Sequence, residues 1–199
     1  MSRSAEHIAI DIVLLPSNEV SNTAIMLNKK LVEQHGSTIV LGREMTVPHV
    51  SMLMGGLTIG QIPAMEREIR HILSNFTAFE IQIRSLVYKN GISSFEIDQT
   101  ETLLSLHTEL ATHLENHLSF NLTESSLYGN PKESSSAINW INSFITKNSF
   151  SNFWPHITLG HGQVQFEDLP LCFEANTVAV YHLGTHCTCQ KKLFSIKLV

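Results

Sequence analysis

The sequence predicts an α+β fold built on antiparallel sheets. Three observations carry that expectation. Strand-like and helix-like stretches are mixed along the chain, with hairpins rather than strict strand–helix–strand repetition. Asn90-Gly91, the strongest short hairpin signal, lies between two apolar stretches. A six-residue pattern also occurs twice, about half the chain apart: Val47-Pro48-His49-Val50-Ser51-Met52 and Trp154-Pro155-His156-Ile157-Thr158-Leu159. Such an echo is the mark of a duplicated lobe.

The elements follow from local pattern. Ile8 to Leu15 is rich in Ile, Val and Leu and reads as a buried strand. Ser21, Asn22 and Thr23 can cap a helix with Ile25, Leu27, Leu31 and Val32 on its apolar side, ended by Gly36. Ser37 to Leu41 reads as a short strand, and His49 to Leu57, after Pro48, as a longer one. Gly60 to Asn75 is helical, with Pro63 tolerated in the first turn. Phe79, Ile81, Ile83, Leu86 and Val87 give one strand, and Phe95 and Ile97 the return strand beyond Asn90-Gly91. Thr100 to Leu118 is an amphipathic helix through Leu103, Leu106, Leu110 and Leu114. Ser119 to Ser136 is loop-like, and Ala137 to Lys147 is a short helix. A strand runs from His156 to Gly160. Two final strands, Val178 to Leu183 and Leu193 to Leu198, join near Gly184 to Lys191.

Composition bounds the function. The chain has 199 residues, 43% hydrophobic and 16% charged, with a formal net charge of −5. It can bury a sizeable core, and no Gly/Ser linker divides it. The acidic balance argues against a broad grip on long nucleic acid and leaves a small anion in a local cleft. No stretch reaches the ~18–20 apolar residues of a membrane helix. The Ile8-to-Leu15 run is short, carries Asp11 and lacks a small-residue cleavage site, so no signal peptide is expected. Cys172, Cys187 and Cys189 are odd in number and clustered late, which gives no disulfide framework and points to a cytoplasmic setting. Eleven histidines are a surplus. Composition alone leaves metal, acid–base chemistry and no function at all equally open.

The repeated pattern carries the chemistry. On a strand, His49 and Ser51 share one face, with Val50 and Met52 on the other; His156 and Thr158 stand likewise against Ile157 and Leu159. Two imidazoles and two hydroxyls brought to one site suit metal-free cleavage of a phosphodiester. One neutral ring takes a proton from the attacking water or hydroxyl, a protonated ring gives one to the leaving oxygen, and the hydroxyls hold the phosphate oxygens. His-x-Ser/Thr alone is weak: His117-Leu118-Ser119 and His186-Cys187-Thr188 also match it. A preceding proline and a strand context leave only the two echoes.

In these motifs the chain resembles the 2H phosphoesterase superfamily, which includes 2′-5′ RNA ligase-like and cyclic phosphodiesterase proteins. The resemblance runs over most of the chain, through the opening strand and helix, both motif strands and the closing hairpin from Val178 to Leu198. It implies one domain over residues 1–199 made of two interleaved lobes. In this bilobal α+β fold, two antiparallel sheets with flanking helices are related by a pseudo-twofold axis around a central cleft. It implies metal-independent, cofactor-free chemistry on 2′,3′-cyclic phosphates or 2′-5′ linkages, with His49 and His156 catalytic and Ser51 and Thr158 phosphate-binding. The partner is a small nucleotide, short oligonucleotide or RNA 3′ end, and the protein is expected to be a monomer. Two departures stand out. Ser51 replaces the commoner Thr, which keeps the hydrogen bond. Gly160-His161-Gly162 stands where some members have a basic residue, so a protonated His161 is the candidate substitute.

Other constellations compete. Tyr128 and Trp154 are candidate nucleobase contacts. Arg43, Arg84 and Lys89 are candidate phosphate contacts, weighed against ordinary surface charge. The run His182 to Cys189 has metal-ligand residue types, but Cys-x-Cys is not the usual zinc spacing. His113 and His117 share a helical face without the Glu of a zinc protease. The loop Ser125 to Ser136 is expected to lie over the cleft. The alternatives to a phosphodiesterase are a non-catalytic nucleotide or RNA-end binding module and a metalloprotein using the late His/Cys cluster.

Overall fold

The structure, a computed structural model, describes residues 6–129, 131 and 134–198. Asn130, Lys132 and Glu133 of the predicted lid lie outside the described residues.

The chain opens with β1 (His7–Leu14), α1 (Asn18–His35), β2 (Val50–Thr58) and α2 (Ile62–Leu73). The hairpin β3 (Phe79–Lys89) and β4 (Ile92–Ile97) follows, then α3 (Glu101–Leu114), α4 (Ser135–Asn142) and α5 (Phe144–Lys147). It closes with β5 (His156–His161), β6 (Leu171–Ala175), β7 (Thr177–Leu183) and β8 (Cys189–Lys197). The strands form two four-stranded antiparallel sheets, β2-β1-β7-β8 and β5-β4-β3-β6. This is the predicted α+β class. The first sheet draws on both ends of the described chain and the second on its middle. Among the described residues no helix is long and apolar enough to cross a membrane.

Both motifs lie on edge strands. β2 borders the first sheet and β5 the second. The alternation is as expected: Val50, Met52, Ile157 and Leu159 are fully buried, while His49, Ser51, His156 and Thr158 are partly exposed. Burying such an aliphatic side chain stabilises by about 1.5–3 kcal/mol, so the motif strands cannot turn over without losing several such terms. Asn90 and Gly91 both have positive φ, 52° and 82°, as the tight turn between β3 and β4 requires.

Two expectations need correction, and one strand was not expected. The α1 cap is Ser17, whose Oγ accepts from the Val20 N–H, not Ser21 to Thr23. The helix begins directly after this cap, close behind Pro16. Ser37 to Leu41 is not a strand. Its backbone groups are met by side chains instead: Asn28 Nδ2 donates to the Ile39 carbonyl at 2.8 Å, and Asn28 Oδ1 accepts from the Leu41 N–H at 2.8 Å. Ser37 Oγ also donates to Ile39 O. With those partners present, no ladder is needed. Finally, β6 is a strand the pattern did not reveal, a five-residue edge strand pairing with β3.

Candidate active site

Each motif strand carries the same irregularity. Between β1 and β2 the register steps from Ile12↔Leu53 to Val13↔Ser51, which leaves Met52 as an extra residue. Between β4 and β5 it steps from Ser94↔Thr158 to Ser93↔Gly160, which leaves Leu159 extra. Both bulges fall directly after the motif hydroxyl. A bulge re-aims the strand and leaves backbone groups unpaired. Here each freed carbonyl has a dedicated donor from a packed helix. His107 of α3 meets the Met52 carbonyl through Nδ1 at 2.8 Å, and Asn28 of α1 donates Nδ2 to the Leu159 carbonyl at 2.7 Å. Both donors are buried. His107 Nε2 accepts from the Phe150 N–H at 2.9 Å, and its ring stacks on Phe153. That pair of bonds requires a neutral ring with the proton on Nδ1, and burial indeed lowers the His107 pKa.

The two motif histidines share a second device. His49 Nδ1 lies 2.7 Å from the Val47 carbonyl, and His156 Nδ1 lies 2.8 Å from the Trp154 carbonyl. A carbonyl only accepts, so each Nδ1 carries a proton and each Nε2 is left free. In both motifs proline stands between the ring and the carbonyl it uses. Its fixed φ sets the chain path there, which gives the proline of the pattern a role.

Both rings line one cleft of about 490 Å³, with Ser51, Ser94, Thr158 and Lys89. Burial is the main cause of a low pKa at both. His49 falls to about 4, against the pull of the Val47 carbonyl and with help from the charge of His156. His156 is lowered by burial, against the Trp154 carbonyl. The free site therefore holds two neutral rings at neutral pH.

The surroundings of the two motifs differ. Beneath the first lies Asp11, fully buried. Its Oδ2 accepts from Ser51 Oγ at 2.6 Å and lies 3.6 Å from His49 Nε2, while Oδ1 has no hydrogen-bond partner among the described residues. Burial raises the Asp11 pKa well above the usual carboxyl range, against the Ser51 hydrogen bond. Above the second motif, Trp154 stacks on His156 with ring centroids 4.1 Å apart and donates Nε1–H to Glu96. Lys89 Nζ sits 5.8 Å above the indole.

The structure thus brings His49, Ser51, His156, Thr158, Trp154 and Lys89 together. Arg43 lies outside this lining and bonds to Asn22. Arg84 is paired with Glu96 and Asp98. Tyr128 is also outside the lining, edge-on to His182, with its N–H on the Leu183 carbonyl. That bond, and the His182 ring against the Ser126 carbonyl, dock the first part of the predicted lid on β7. Of its described residues only Ser136, at the far end, lines the cleft, together with Ala137 and Trp140 of α4. His161 sits beside the cleft against His186, which does line it. Gly160 has a φ of 143°, and a Cβ there would lie 2.8 Å from Ser37 Oγ and 3.0 Å from Asn28 Nδ2. The glycine after the second motif thus admits these two side chains. The late cluster disperses: Cys187 lines the cleft, while Cys189 is buried near Asp11 and His49. His113 pairs with Glu109 on the exposed face of α3.

Sequence reasoning missed Asp11, Asn28, His107 and Trp140. Asp11 had a signal, a carboxyl in the middle of an apolar strand. Asn28 had a fainter one, a polar residue on the apolar face of a helix.

A fold of two four-stranded antiparallel sheets enclosing a two-histidine cleft has known relatives. The sequence matches the 2′-5′ RNA ligase superfamily over residues 42–170. That is more than half of the chain, and the protein belongs to this superfamily, the 2H phosphoesterases. No curated protein matches it in sequence. Among solved structures, TT0787 of Thermus thermophilus is similar with a TM-score of 0.63 at 16% identity, over 96% of this chain and 98% of that one. E. coli LigT in its apo form gives a TM-score of 0.59 at 12% identity, over 98% and 99%. LigT complexed with 3′-AMP gives 0.58 at 11% identity, over 98% and 99%. These likenesses establish the shared fold.

Proposed function

We propose that the protein is a metal-independent phosphodiesterase acting on 2′,3′-cyclic phosphate or 2′-5′-linked nucleotide and RNA-end substrates. The observation that carries this is the paired tautomer lock, two rings in one cleft, each with Nδ1–H tied to a carbonyl and Nε2 free. Superfamily membership supports it, as do the 3′-AMP, NADP+ and phosphate complexes of the E. coli LigT structures.

In hydrolysis one Nε2 takes a proton from the attacking water. The other ring, protonated, gives its Nε2 proton to the leaving oxygen. We assign His49, whose pKa burial lowers to about 4, as the base and His156 as the acid. The phosphate anion supplies the negative charge that lets His156 hold a proton. Thr158 Oγ1 donates to a phosphate oxygen directly. Ser51 Oγ is bonded to Asp11, and a protonated Asp11 can reverse that bond. Its O–H then donates to Ser51 Oγ, which frees the Ser51 proton for phosphate. Trp154 and Trp140 offer faces for a base.

The test is turnover of 2′,3′-cyclic nucleotides and short 2′-5′ and 3′-5′ oligonucleotides, with and without EDTA, by the wild type, His49→Ala and His156→Ala. The reading expects chelator-resistant turnover that falls ~10²–10⁴-fold in each variant. Binding without turnover would make the protein a binding module. Activity lost to EDTA would make it a metalloenzyme.

A further inference from the structure

We propose that Asp11, His49 and Cys189 form a binding site for a thiophilic divalent cation, Zn²⁺, that takes up the His49 Nε2 and so switches the site off. The binding itself stands alone; the switching rests on the proposed phosphodiesterase activity. A carboxylate oxygen of Asp11, a ring nitrogen of His49 and Cys189 Sγ all lie within 4.8 Å of one another. Zinc holds N and O ligands at ~2.0–2.1 Å and S at ~2.3 Å, so the edges of its tetrahedron are about 3.3–3.6 Å. The Asp11 Oδ2 to His49 Nε2 edge is already 3.6 Å. To reach such edges, Cys189 Sγ needs to close by at most about 1.5 Å.

Three features point to a cation. Asp11 Oδ1 is buried with no hydrogen-bond partner among the described residues, although buried polar atoms rarely lack one. The Val47 carbonyl holds His49 Nδ1–H, which is the outer bond that commonly fixes a zinc-bound imidazole and leaves Nε2 for the metal. The charges also balance: one carboxylate, one thiolate and one neutral imidazole neutralise a divalent ion in a buried place. Burial raises the pKa of Asp11 and of Cys189 alike. A coordinated thiol is deprotonated outright, so binding must release protons, one from Cys189 and a second where Asp11 is protonated.

Access and consequence follow from position. His49 lines the cleft, while Asp11 and Cys189 are buried behind it. The ion enters past the ring, and the fourth coordination position is left for water. A bound His49 Nε2 cannot accept a proton, so an occupied site is an inactive one.

The experiment uses the full chain stripped with EDTA and dialysed, then titrated with Zn²⁺ by calorimetry in two buffers of different ionisation enthalpy. One ion per chain is expected, with one to two protons released, and NMR should show the His49 ring signals shift on the same isotherm. Cys189→Ala and Asp11→Asn should each weaken binding at least 100-fold. Zinc-free Cys189→Ala should turn over 2′,3′-cyclic nucleotide as the wild type does, and should keep that activity at a Zn²⁺ level that silences the wild type. Unchanged affinity in both variants, an unmoved His49 ring, or activation by Zn²⁺ would overturn the proposal. Absence of turnover in the metal-free protein would instead defeat the functional reading. Binding, proton release and the ring shift would still decide the site.

Discussion

Asn28→Leu should cost far more stability than the loss of an ordinary polar contact. Asn28 is 1% exposed and its amide serves three backbone groups, the Ile39 and Leu159 carbonyls and the Leu41 N–H, all at 2.7–2.8 Å. Leucine is close in volume, so packing changes little. Ile39 O keeps Ser37 Oγ as a donor at 3.0 Å, but Leu159 O and Leu41 N–H are stranded. A stranded buried group costs about 1–3 kcal/mol, which gives roughly 2–6 kcal/mol against the 5–15 kcal/mol of a typical domain. The same change releases the β5 bulge that aims Thr158 and His156, and misplacement of about 1 Å can cost ~100-fold in rate. Urea unfolding measures the first effect, and kcat/KM on a 2′,3′-cyclic nucleotide the second. Asn28→Asp should be no better, since its second oxygen would face two carbonyls. A loss below about 1 kcal/mol in the leucine variant, with kcat/KM intact, would refute the claim that this amide holds the motif strand.

Other consequences can be checked more briefly. Unfolded, His49 takes a proton near pH 6.5; folded, near 4. Between those values the unfolded chain binds more protons, so stability falls as pH drops from 6.5 to 4, by about 3 kcal/mol from this ring. His49→Gln should remove that share of the slope in urea melts at pH 7.5 and 4.5, and equal slopes would count against the burial argument. Since both rings lie below the usual histidine value, the bell of kcat/KM should be centred below pH ~6.5; a centre above ~7 would contradict it. Trp154→Ala should raise KM ~5–100-fold through lost stacking, with Trp154→Phe restoring most of it; an unchanged KM would move the base elsewhere.

Much of the site was legible because strand periodicity is simple. Alternation alone puts His49 with Ser51 and His156 with Thr158, and Asn90-Gly91 marks a hairpin. What stayed hidden depends on the chain meeting itself across long separations. Ser37 to Leu41 has a strand's composition, and only Asn28 on a different element shows why it needs no strand partner. His107 looks like one more polar residue on α3 until the Met52 bulge is seen. Cys189 belongs by spacing to a turn cluster, yet the β7–β8 hairpin delivers it to β1 and the first motif. The short edge strand β6 pairs with β3 along one side only, so burial writes no strong pattern into it.

The two halves are alike where the backbone must be aimed and unlike where proton affinity is set. Proline, carbonyl lock, hydroxyl and helix-clamped bulge recur in both motifs. The flanks are free to differ. His49 rests on a buried carboxyl with an unmatched oxygen, while His156 is covered by an indole that Glu96 holds in place. Two chemically identical rings in mirror surroundings would compete for one proton with no preference for direction. The different flanks, a buried carboxyl beside one ring and an indole over the other, break that symmetry, which is what the proposed split into one base and one acid requires.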